Sequence, residues 1–372
     1  MEKILICKNC FMPSSRPRIH FDENGVCNSC NYQKKKSLID WADRRSKFEK
    51  ICNQHRSKNG EYDCIVPWSG GKDSSSIAYK LKYEFKMNPL LTTFSPLIPT
   101  KIGQENRELL INKGFDNYFF RPNQKISKYL SKRFFIERGN PKIHWDAGIN
   151  SFPLTVALEK KINLIFYAEH GESEYGGRVL HANSDKLRDI SEVLENQIGD
   201  DPSNWEDDFV TQSDLNVYKY PNVNELKNNQ INAYYFSYFF KWDVYENFKY
   251  VKDKFNFKQM DERISGTFQN YDSIDDHIDP LYYYMQYIKF GFGRCLRDAS
   301  RLVQNKHLER NLGINYIKKY DGEFPDKVLD KCLKYLDMNL LEFNEIIDKH
   351  RNKEIWELNG NKYKLKFNIF GD

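Results

Sequence analysis

The pattern of apolar and polar positions predicts strands that alternate with helices from about residue 61 onward. Short apolar runs end at turn residues, and stretches with apolar positions at helical spacing follow them. Strands are predicted at residues 63–68, 90–94, 117–121 and 162–168, and helices at residues 74–85, 102–113, 126–137 and 154–160. This alternation predicts an α/β fold with a doubly wound parallel sheet, whose ligands lie at the carboxyl ends of the strands.

The same pattern divides the chain into four predicted parts. They are a knuckle at residues 1–33, a linker helix at residues 34–60, the α/β core at residues 61–180 and a mostly helical C-terminal region at residues 181–372 that continues the fold. Within the core, residues 139–150 are predicted to be a loop. The linker helix is amphipathic, and its apolar side carries Leu38, Trp41, Phe48 and Ile51.

Composition and charge narrow the function. Of the 372 residues, 40% are hydrophobic and 29% are charged, which is typical of a soluble globular protein. The net charge is only +5, and basic residues alternate with acidic ones, so nucleic acid is an unlikely partner. No run approaches the roughly 18 apolar residues of a membrane helix, and the N-terminus lacks the apolar core of a signal peptide. We therefore expect a cytoplasmic protein with no membrane partner.

Four cysteines near the N-terminus form two CxxC pairs. They are Cys7, Cys10, Cys27 and Cys30, and 16 residues separate the pairs. This spacing is typical of a four-thiolate zinc site, in which no coordination position stays open for a substrate. The sequence therefore predicts a structural Zn²⁺.

The strand predicted at residues 63–68 runs into a turn with two glycines, and an Asp-Ser-Ser group then begins a helix. The residues of this turn and helix start are Ser69, Gly70, Gly71, Lys72, Asp73, Ser74 and Ser75. Backbone N–H groups and the positive end of a helix dipole converge in such a turn, which favours a phosphate group. It is not a Walker A loop, because Val66 stands where that motif needs glycine.

The string SGGKDS at residues 69–74 resembles the PP-loop signature of the adenine-nucleotide α-hydrolase superfamily. The resemblance implies a Rossmann-like ATP pyrophosphatase fold, ATP and Mg²⁺ as cofactors, and transfer of AMP to a substrate oxygen. Two other interpretations stay open: a tRNA-modifying enzyme of the thiolation type, and a zinc-knuckle protein that binds nucleic acid. No CxxC pair follows Cys30, which speaks against the first of them.

Four features together resemble the N-acetyl sugar amidotransferases of the PseA, WbpG and WbuX type. They are the N-terminal cysteine knuckle, the loop PWSGGKDSS, the segment HGESEYGG at residues 170–177 and the segment KFGFGR at residues 289–294. The resemblance implies an enzyme of bacterial lipopolysaccharide or flagellin glycan biosynthesis, acting on a sugar such as a nonulosonic acid. Such an enzyme adenylates the acetamido oxygen and lets ammonia displace AMP, which leaves an acetamidino group.

Candidate site residues follow from these motifs. Glu172 and Glu174 follow a predicted strand, so we expect them beside ATP as Mg²⁺ ligands, as bases or as partners of the amidine, with exposed loop glutamates as the alternative. We call residues 69–75 the phosphate loop, after the ligand that the pattern favours. Asp73 is its candidate catalytic residue. Sugar or phosphate contacts are expected from His144, Trp145, Tyr175, Gly176 and Arg294.

The source of ammonia is expected to be a second protein. The chain shows no cysteine nucleophile near its start that would release ammonia from glutamine. The resemblance implies a separate glutaminase, similar to the HisH and HisF pair of histidine biosynthesis. Its docking face is expected at the aromatic stretches of residues 234–242 and 282–292.

Overall fold

The computed structural model describes residues 3–179, 186–188, 193 and 198–370. Within these residues, five parallel strands form one sheet in the order β3-β2-β1-β4-β5. The strands are β1 Cys64–Pro67, β2 Pro89–Phe94, β3 Asp116–Phe120, β4 Leu164–Tyr167 and β5 Asn232–Tyr235. The α/β class and the parallel sheet are confirmed, and the four predicted strands lie within two residues of their predicted bounds.

Helices connect the strands and build the C-terminal region. Before and within the sheet they are α1 Asn28–Lys36, α2 Trp41–His55, α3 Lys72–Tyr83, α4 Lys101–Ile111, α5 Gln124–Arg138, α6 Ile143–Lys160, α7 Gly171–Tyr175, α8 Gln212–Leu215 and α9 Val223–Asn228. After β5 they are α10 Phe236–Phe239, α11 Val244–Phe255, α12 Asp279–Phe290, α13 Arg294–Gln304, α14 Arg310–Tyr320, α15 Asp326–Leu336 and α16 Leu340–His350. An antiparallel hairpin, β6 Trp356–Asn359 and β7 Lys362–Leu365, follows them.

The sheet is covered on both faces because alternate strand residues point to opposite sides. Val66 and Phe166 belong to the core that contains α2, α3 and α11. Ile65 and Ile165 belong to the core that contains α5 and α6. The strands therefore read as continuous apolar runs, as expected for a parallel sheet with helices on each face.

The predicted loop at residues 139–150 is wrong over most of its length. Residues 143–150 form the first half of α6, an 18-residue helix that continues through Pro153. Gly148 lets this helix lie against the sheet, since a Cβ atom there would approach the ring of Phe94 to 2.3 Å. Gly148 and Pro153 suggest a loop in the sequence, but packing against the sheet stabilises the helix here.

The linker predicted at residues 34–60 is also not one helix. α1 ends at Lys36, and α2 begins after Asp40, whose carboxylate accepts the N–H groups of Ala42 and Asp43. Leu38 lies in the turn between them with 87% of its surface exposed, so it is not part of a buried helix side. Phe48 of α2 is fully buried, as its predicted apolar side requires.

The cysteine knuckle shares its core with the C-terminal region. The four cysteines and Phe11 pack in one cluster with Phe292, Leu296 and Ile317. The predicted domain bounds stay a prediction, and the one between residues 180 and 181 lies outside the described residues. In the described part of the chain, no helix is both long enough and apolar enough to cross a membrane.

Candidate active site

The loop between β1 and α3, residues 68–71, turns sharply at two glycines. Gly70 has a φ of +99°, and a Cβ atom there would lie 2.6 Å from Cγ of Arg107, so glycine is required. Gly71 is the N-cap residue of α3, and its N–H donates to Oγ of Ser69 at 3.3 Å. The N–H groups of the first turn of α3 have no partner inside the helix. The positive end of α3 thus lies at the carboxyl end of β1.

The three serines of the phosphate loop differ in where their hydroxyl groups lie. Ser69 and Ser74 line the cleft described below. Ser75 is fully buried, and its Oγ accepts a hydrogen bond from Nε1 of Trp68 at 2.8 Å. The hydroxyl of Ser75 therefore orients the side chain of Trp68 and does not face the cleft.

Lys72 is held between two carboxylates. Its Nζ lies 2.6 Å from Oδ2 of Asp73 and 2.5 Å from Oδ1 of Asp272. Burial alone would lower the pKa of Lys72, but these two carboxylates raise that pKa above its ordinary value. Burial opposes ionisation of Asp272, yet Lys72 and Arg294 hold its pKa well below its usual range. Lys72 therefore orients two carboxylates and is not a free cation for a phosphate.

Four aspartates after Tyr271 form an acidic segment, residues 272–279, which the sequence analysis did not identify. They are Asp272, Asp275, Asp276 and Asp279. Asp276 fixes the segment behind β2, since its carboxylate accepts the N–H groups of Leu97 at 2.7 Å and Ile98 at 2.9 Å. The segment reaches the phosphate loop from a position two hundred residues later in the chain.

A cleft of about 380 Å³ lies between the phosphate loop and the acidic segment. Among the described residues, six aspartates and three cations line it. They are Asp73, Asp146, Asp272, Asp275, Asp276, Asp279, Lys72, Lys142 and Arg297. Trp145 and three tyrosines supply its aromatic wall. Since carboxyl groups outnumber cations, the cleft would repel a triphosphate unless divalent cations entered with it.

Two carboxyl groups near the phosphate loop titrate near neutral pH. Burial raises the pKa of Glu169 to about 7, and the negative charge of Asp73 adds to this effect. Burial also raises the pKa of Asp146 to about 7, against the attraction of Lys142. Glu169 follows β4 at its carboxyl end, and Asp146 lies in the first turn of α6. Neither residue was predicted from the sequence as a site residue.

The glutamates that the sequence analysis chose lie against the knuckle and not against the phosphate loop. Glu174 is 1% exposed and lies 2.7 Å from Nζ of Lys36. Glu172 accepts two hydrogen bonds from Arg18, both at 3.1 Å. The predicted strand end was right, but α7 turns the chain after residue 170, so only Glu169 remains near the loop.

Arg294 is buried and supports the acidic segment. Its Nη2 donates to the backbone carbonyl of Asp272 at 2.5 Å, and its Nε donates to Asp298 at 3.3 Å. Only 1% of its surface is exposed, so the predicted grip on a phosphate or a carboxylate is not supported.

His144 and Trp145 point in different directions from α6. His144 is fully buried, and its Nε2 lies 3.1 Å from Oγ of Ser127. Burial lowers the pKa of His144 to about 3, so it is a neutral core residue. Trp145 lines the cleft, and Nζ of Lys142 lies 4.1 Å from its ring centroid. Of the two candidates, only Trp145 can contact a ligand in the cleft.

Tyr175 and Gly176 lie at the C-terminal end of α7 and contact two different parts of the molecule. The hydroxyl of Tyr175 donates to Oε1 of Glu169 at 2.8 Å. Gly176 has a φ of +82°, and a Cβ atom there would lie 2.9 Å from Oδ1 of Asn28 in α1. Tyr175 thus positions a carboxyl group, and Gly176 permits close packing of two segments.

The four knuckle cysteines form a buried cluster whose ligand atoms all lie within 4.8 Å of one another. The sulfur atoms of Cys7 and Cys30 are 3.8 Å apart, and those of Cys10 and Cys27 are 3.7 Å apart. A tetrahedron with metal–sulfur distances of about 2.3 Å has edges of about 3.8 Å. The cluster could therefore hold a structural metal such as zinc.

The aromatic stretches expected to form a docking face are partly buried. In residues 234–242, Phe236, Phe239 and Trp242 are each less than 5% exposed. In residues 282–292, Ile288 and Phe292 are buried as well. Other aromatic residues of these stretches, such as Tyr238 and Tyr287, are only half-buried, and the docking face stays a prediction.

Comparisons with known proteins agree with the C-terminal part of this structure. Residues 265–368 match a family model described as "LPS biosynthesis protein WbpG-like, C-terminal domain". An uncharacterized protein of Methanocaldococcus jannaschii is 28% identical over 109 residues, which cover 27% of this chain and 36% of that relative. The chain thus spans little more than a third of the length of that relative. The acidic segment and α12 to α16 fall in the matched range. Residues 265–368 are therefore similar to the C-terminal domain of WbpG-like lipopolysaccharide biosynthesis proteins, and the predicted resemblance to the WbpG type is confirmed.

Proposed function

We propose that the protein is an ATP-dependent amidotransferase that converts the acetamido group of an N-acetylated surface sugar into an acetamidino group. The reaction would release AMP and pyrophosphate. The observation that carries the proposal is the cleft itself, in which the N-terminal end of α3, with Asp73 in its first turn, lies beside Asp272 of the acidic segment. The match to a lipopolysaccharide biosynthesis family supports a sugar substrate.

The residues of the cleft fit ATP together with Mg²⁺. Mg²⁺ is commonly held by one or two carboxylates and by the phosphates of its substrate. Asp73 and Asp272 supply two such carboxylates, and Lys72 fixes both of them at the phosphate end of the cleft. Bound Mg²⁺ would neutralise the charge that develops on the leaving pyrophosphate. The N–H groups of the loop would hold the same oxygens with donors that need no rearrangement.

The aromatic wall fits a sugar ring. Trp145 lies in the cleft with Lys142 over its face, and Tyr282 and Tyr283 line the same space. A sugar bound there would place its acetamido oxygen toward the phosphate loop. Attack of this oxygen on the α-phosphorus would break the bond to the pyrophosphate and leave an O-adenylyl imidate. The amide carbon would then carry a good leaving group, AMP.

Glu169 and Asp146 fit the second half of the reaction. Ammonia is mostly ammonium at neutral pH, so a base must accept one proton before the nitrogen can attack. Both carboxyl groups have a pKa of about 7, which suits a proton acceptor at that pH. Tyr175 orients Glu169 through its hydroxyl. We assign the role of base to Glu169, because it is the group whose charge interacts with Asp73 of the phosphate loop.

Two further parts of the proposal concern the metal and the partner. We assign zinc to the cysteine cluster, since Zn²⁺ prefers a closed tetrahedron of four thiolates. A separate glutaminase would supply ammonia, and the half-buried aromatic residues of residues 234–242 and 282–292 are candidates for its docking face. This chain alone should then use ammonium at alkaline pH but not glutamine.

The test is product analysis with purified protein, ATP, Mg²⁺, ammonium and acetamido sugars. We expect AMP and pyrophosphate in equal amounts, together with a sugar in which NH replaces the acetamido oxygen. Omission of ammonium should stop formation of the amidine. ADP as the stoichiometric nucleotide product, or labelled amidine formed from amide-labelled glutamine by this chain alone, would contradict the proposal.

A further inference from the structure

A second cavity lies next to the cleft and differs from it in charge. Its volume is about 310 Å³, and it shares Tyr282 and Arg297 with the cleft. Within the described residues its lining contains five basic side chains and no acidic one. These five are Arg16, Arg18, Arg297, Arg301 and Lys289. We call this cavity the arginine pocket.

Three of the five basic groups already have polar protein partners, and the longest of these contacts joins Nη2 of Arg297 to Oδ1 of Asp298 at 3.7 Å. Arg18 is paired with Glu172, and Lys289 donates to the backbone carbonyl of Arg138 at 2.8 Å. Arg297 and Arg301 stack on tyrosine rings and have few polar partners. Their guanidinium carbons lie 4.1 Å from the ring of Tyr283 and 3.6 Å from the ring of Tyr175.

The arginines leave hydrogen-bonding capacity unused. The Nε atoms of Arg297 and Arg301 are buried and have no hydrogen-bond partner among the described residues. In the same part of the chain, no ion pair joins Arg16 or Arg301 to a carboxylate. A buried donor without a partner costs about 1–3 kcal/mol, and the cost is greater for a charged group. An anion bound in the pocket would satisfy these donors.

Like charges in the pocket repel one another. Burial lowers the pKa of Arg16 to about 10, and the neighbouring charge of Arg301 adds to this effect. A bound anion would remove the repulsion and would accept hydrogen bonds from several guanidinium groups. Arginine is the side chain best suited to this task, since its planar donors match the oxygens of a carboxylate or a phosphate.

We propose that the arginine pocket binds an anionic group of the sugar substrate, a carboxylate or a phosphate, while the acetamido group lies in the cleft. This inference rests on the proposed function, because it places two ends of one substrate on either side of Arg297 and Tyr282. The triphosphate of ATP is not the anion meant here. Arg16 and Arg301 do not line the cleft, and the phosphate end of the cleft is formed by the loop and the acidic segment.

The test compares sugar affinities by isothermal titration calorimetry at constant salt. The probes are N-acetylneuraminic acid, which carries a carboxylate, UDP-N-acetylglucosamine, which carries a diphosphate, and uncharged N-acetylglucosamine. We expect at least one charged probe to bind about tenfold or more tightly than the uncharged one, as a charge-assisted hydrogen bond would provide. The charged probe that shows the preference identifies the anion. Equal affinity for all three probes would overturn the inference.

Variants link the preference to the pocket. Arg16 lies in a loop of the knuckle. We expect Arg16→Gln to lower the affinity for the preferred charged probe about tenfold and to leave the affinity for the uncharged probe unchanged. Arg301→Gln should act in the same way. Arg310→Gln is the matched control, because Arg310 also has a buried Nε without a hydrogen-bond partner but lines a different cavity. Equal losses in Arg16→Gln and Arg310→Gln would contradict the assignment.

Separate assays distinguish this inference from the proposed function. ATP affinity should be the same in wild type and Arg16→Gln, and a parallel loss of ATP binding would show that the pocket serves the nucleotide. A charged sugar that binds through Arg16 but yields no AMP would overturn the amidotransferase and leave the anion pocket standing. AMP formed equally well from charged and uncharged sugars would overturn the anion pocket and leave the amidotransferase standing.

Discussion

Two regions of the molecule bury a lysine against carboxylates, and they differ in what surrounds the pair. At the junction of the knuckle and the sheet, Lys36 contacts Glu174, and both side chains are 1% exposed. At the phosphate loop, Lys72 is 2% exposed, but its partners Asp73 and Asp272 are 24% and 17% exposed. The first pair is closed on every side, whereas the second presents its carboxylates to a cleft.

This difference separates a pair that stabilises the fold from a pair that can act on a ligand. Nζ of Lys36 also donates to the carbonyl of Trp242 at 3.0 Å, and Glu174 accepts a hydrogen bond from Gln33, so most of the junction is satisfied internally. In the cleft the carboxylates of Asp73 and Asp272 are partly exposed and can reach a cation, although Oδ1 of Asp73 also accepts a hydrogen bond from Nδ2 of Asn247 at 2.9 Å. Variants at the two regions should therefore separate stability from turnover.

The largest effect is expected at the knuckle. Cys27→Ser should lose the metal and destabilise the knuckle, because the binding of zinc supplies roughly 10–16 kcal/mol of folding free energy in isolated zinc fingers. Elemental analysis and thermal unfolding of the purified protein would measure both effects. Cys52→Ser, at a buried cysteine outside the cluster, is the control and should keep the metal. Wild-type protein that contains no zinc would contradict the assignment.

Next in size is the closed lysine pair. Lys36→Met leaves Glu174 buried without its cation, and we expect the free energy of unfolding to fall by roughly 3–5 kcal/mol. The double variant Lys36→Met with Glu174→Leu should recover most of this loss, because it removes both charges. Denaturant unfolding would measure both changes. Turnover per folded molecule should stay close to wild type. A large loss of turnover would contradict the expectation that the pair of Lys36 and Glu174 serves stability alone.

The open pair should show the opposite behaviour. Asp272→Asn should slow the formation of AMP by roughly 10²–10³-fold, as loss of one preorganised electrostatic group does elsewhere. It should also raise the Mg²⁺ concentration that half-maximal turnover requires. Initial rates over a Mg²⁺ titration would measure this. Glu262→Gln, at an exposed glutamate, is the control. An unchanged rate in Asp272→Asn would remove the acidic segment from the proposed site.

A smaller effect concerns pH. The pKa of Glu169 is raised to about 7, first by burial and then by the charge of Asp73, so the folded state favours its neutral form. This contribution to stability is present below the unfolded pKa of about 4.3 and is lost as pH rises through about 7. Glu169→Gln should therefore reduce the loss of stability between pH 5 and 8 by roughly 2–3 kcal/mol. Unfolding midpoints over this range would measure it, and an unchanged slope would count against the raised pKa.

The smallest effect is expected at Glu172. Its contact with Arg18 is partly exposed, and such pairs contribute about 0.2–1 kcal/mol. Glu172→Gln should change neither the unfolding midpoint by more than a few degrees nor the rate of AMP formation. A rate loss comparable to that of Asp272→Asn would restore Glu172 to the catalytic site where the sequence had placed it.

Local features could be predicted from the sequence, and features that depend on the folded chain could not. The phosphate loop lies in consecutive residues, so its turn, its glycines and the start of α3 are visible in the pattern. The acidic segment contacts Lys72 across two hundred residues, and no periodicity signals that approach. Four aspartates within eight residues, 272–279, were the available signal.

The choice among the glutamates shows the same limit. The sequence placed the end of β4 within one residue but could not show that α7 turns Glu172 and Glu174 toward the knuckle. Similarly, a loop was predicted at residues 139–150 because the packing of Gly148 against Phe94 is not visible in a local pattern. Residues that line a site through tertiary packing need the structure.

The loop that carries Arg16 is tied to two parts of the molecule. Oγ of Ser15 donates to the carbonyl of Phe290 at 2.6 Å, and the cysteines of the knuckle lie before and after this loop in the chain. On the proposed function, loss of the metal would disturb this loop and the hold of Arg16 on the sugar, at a distance from the nucleotide. We therefore expect protein stripped of its metal to bind ATP as the untreated protein does but to prefer charged over uncharged sugars less strongly.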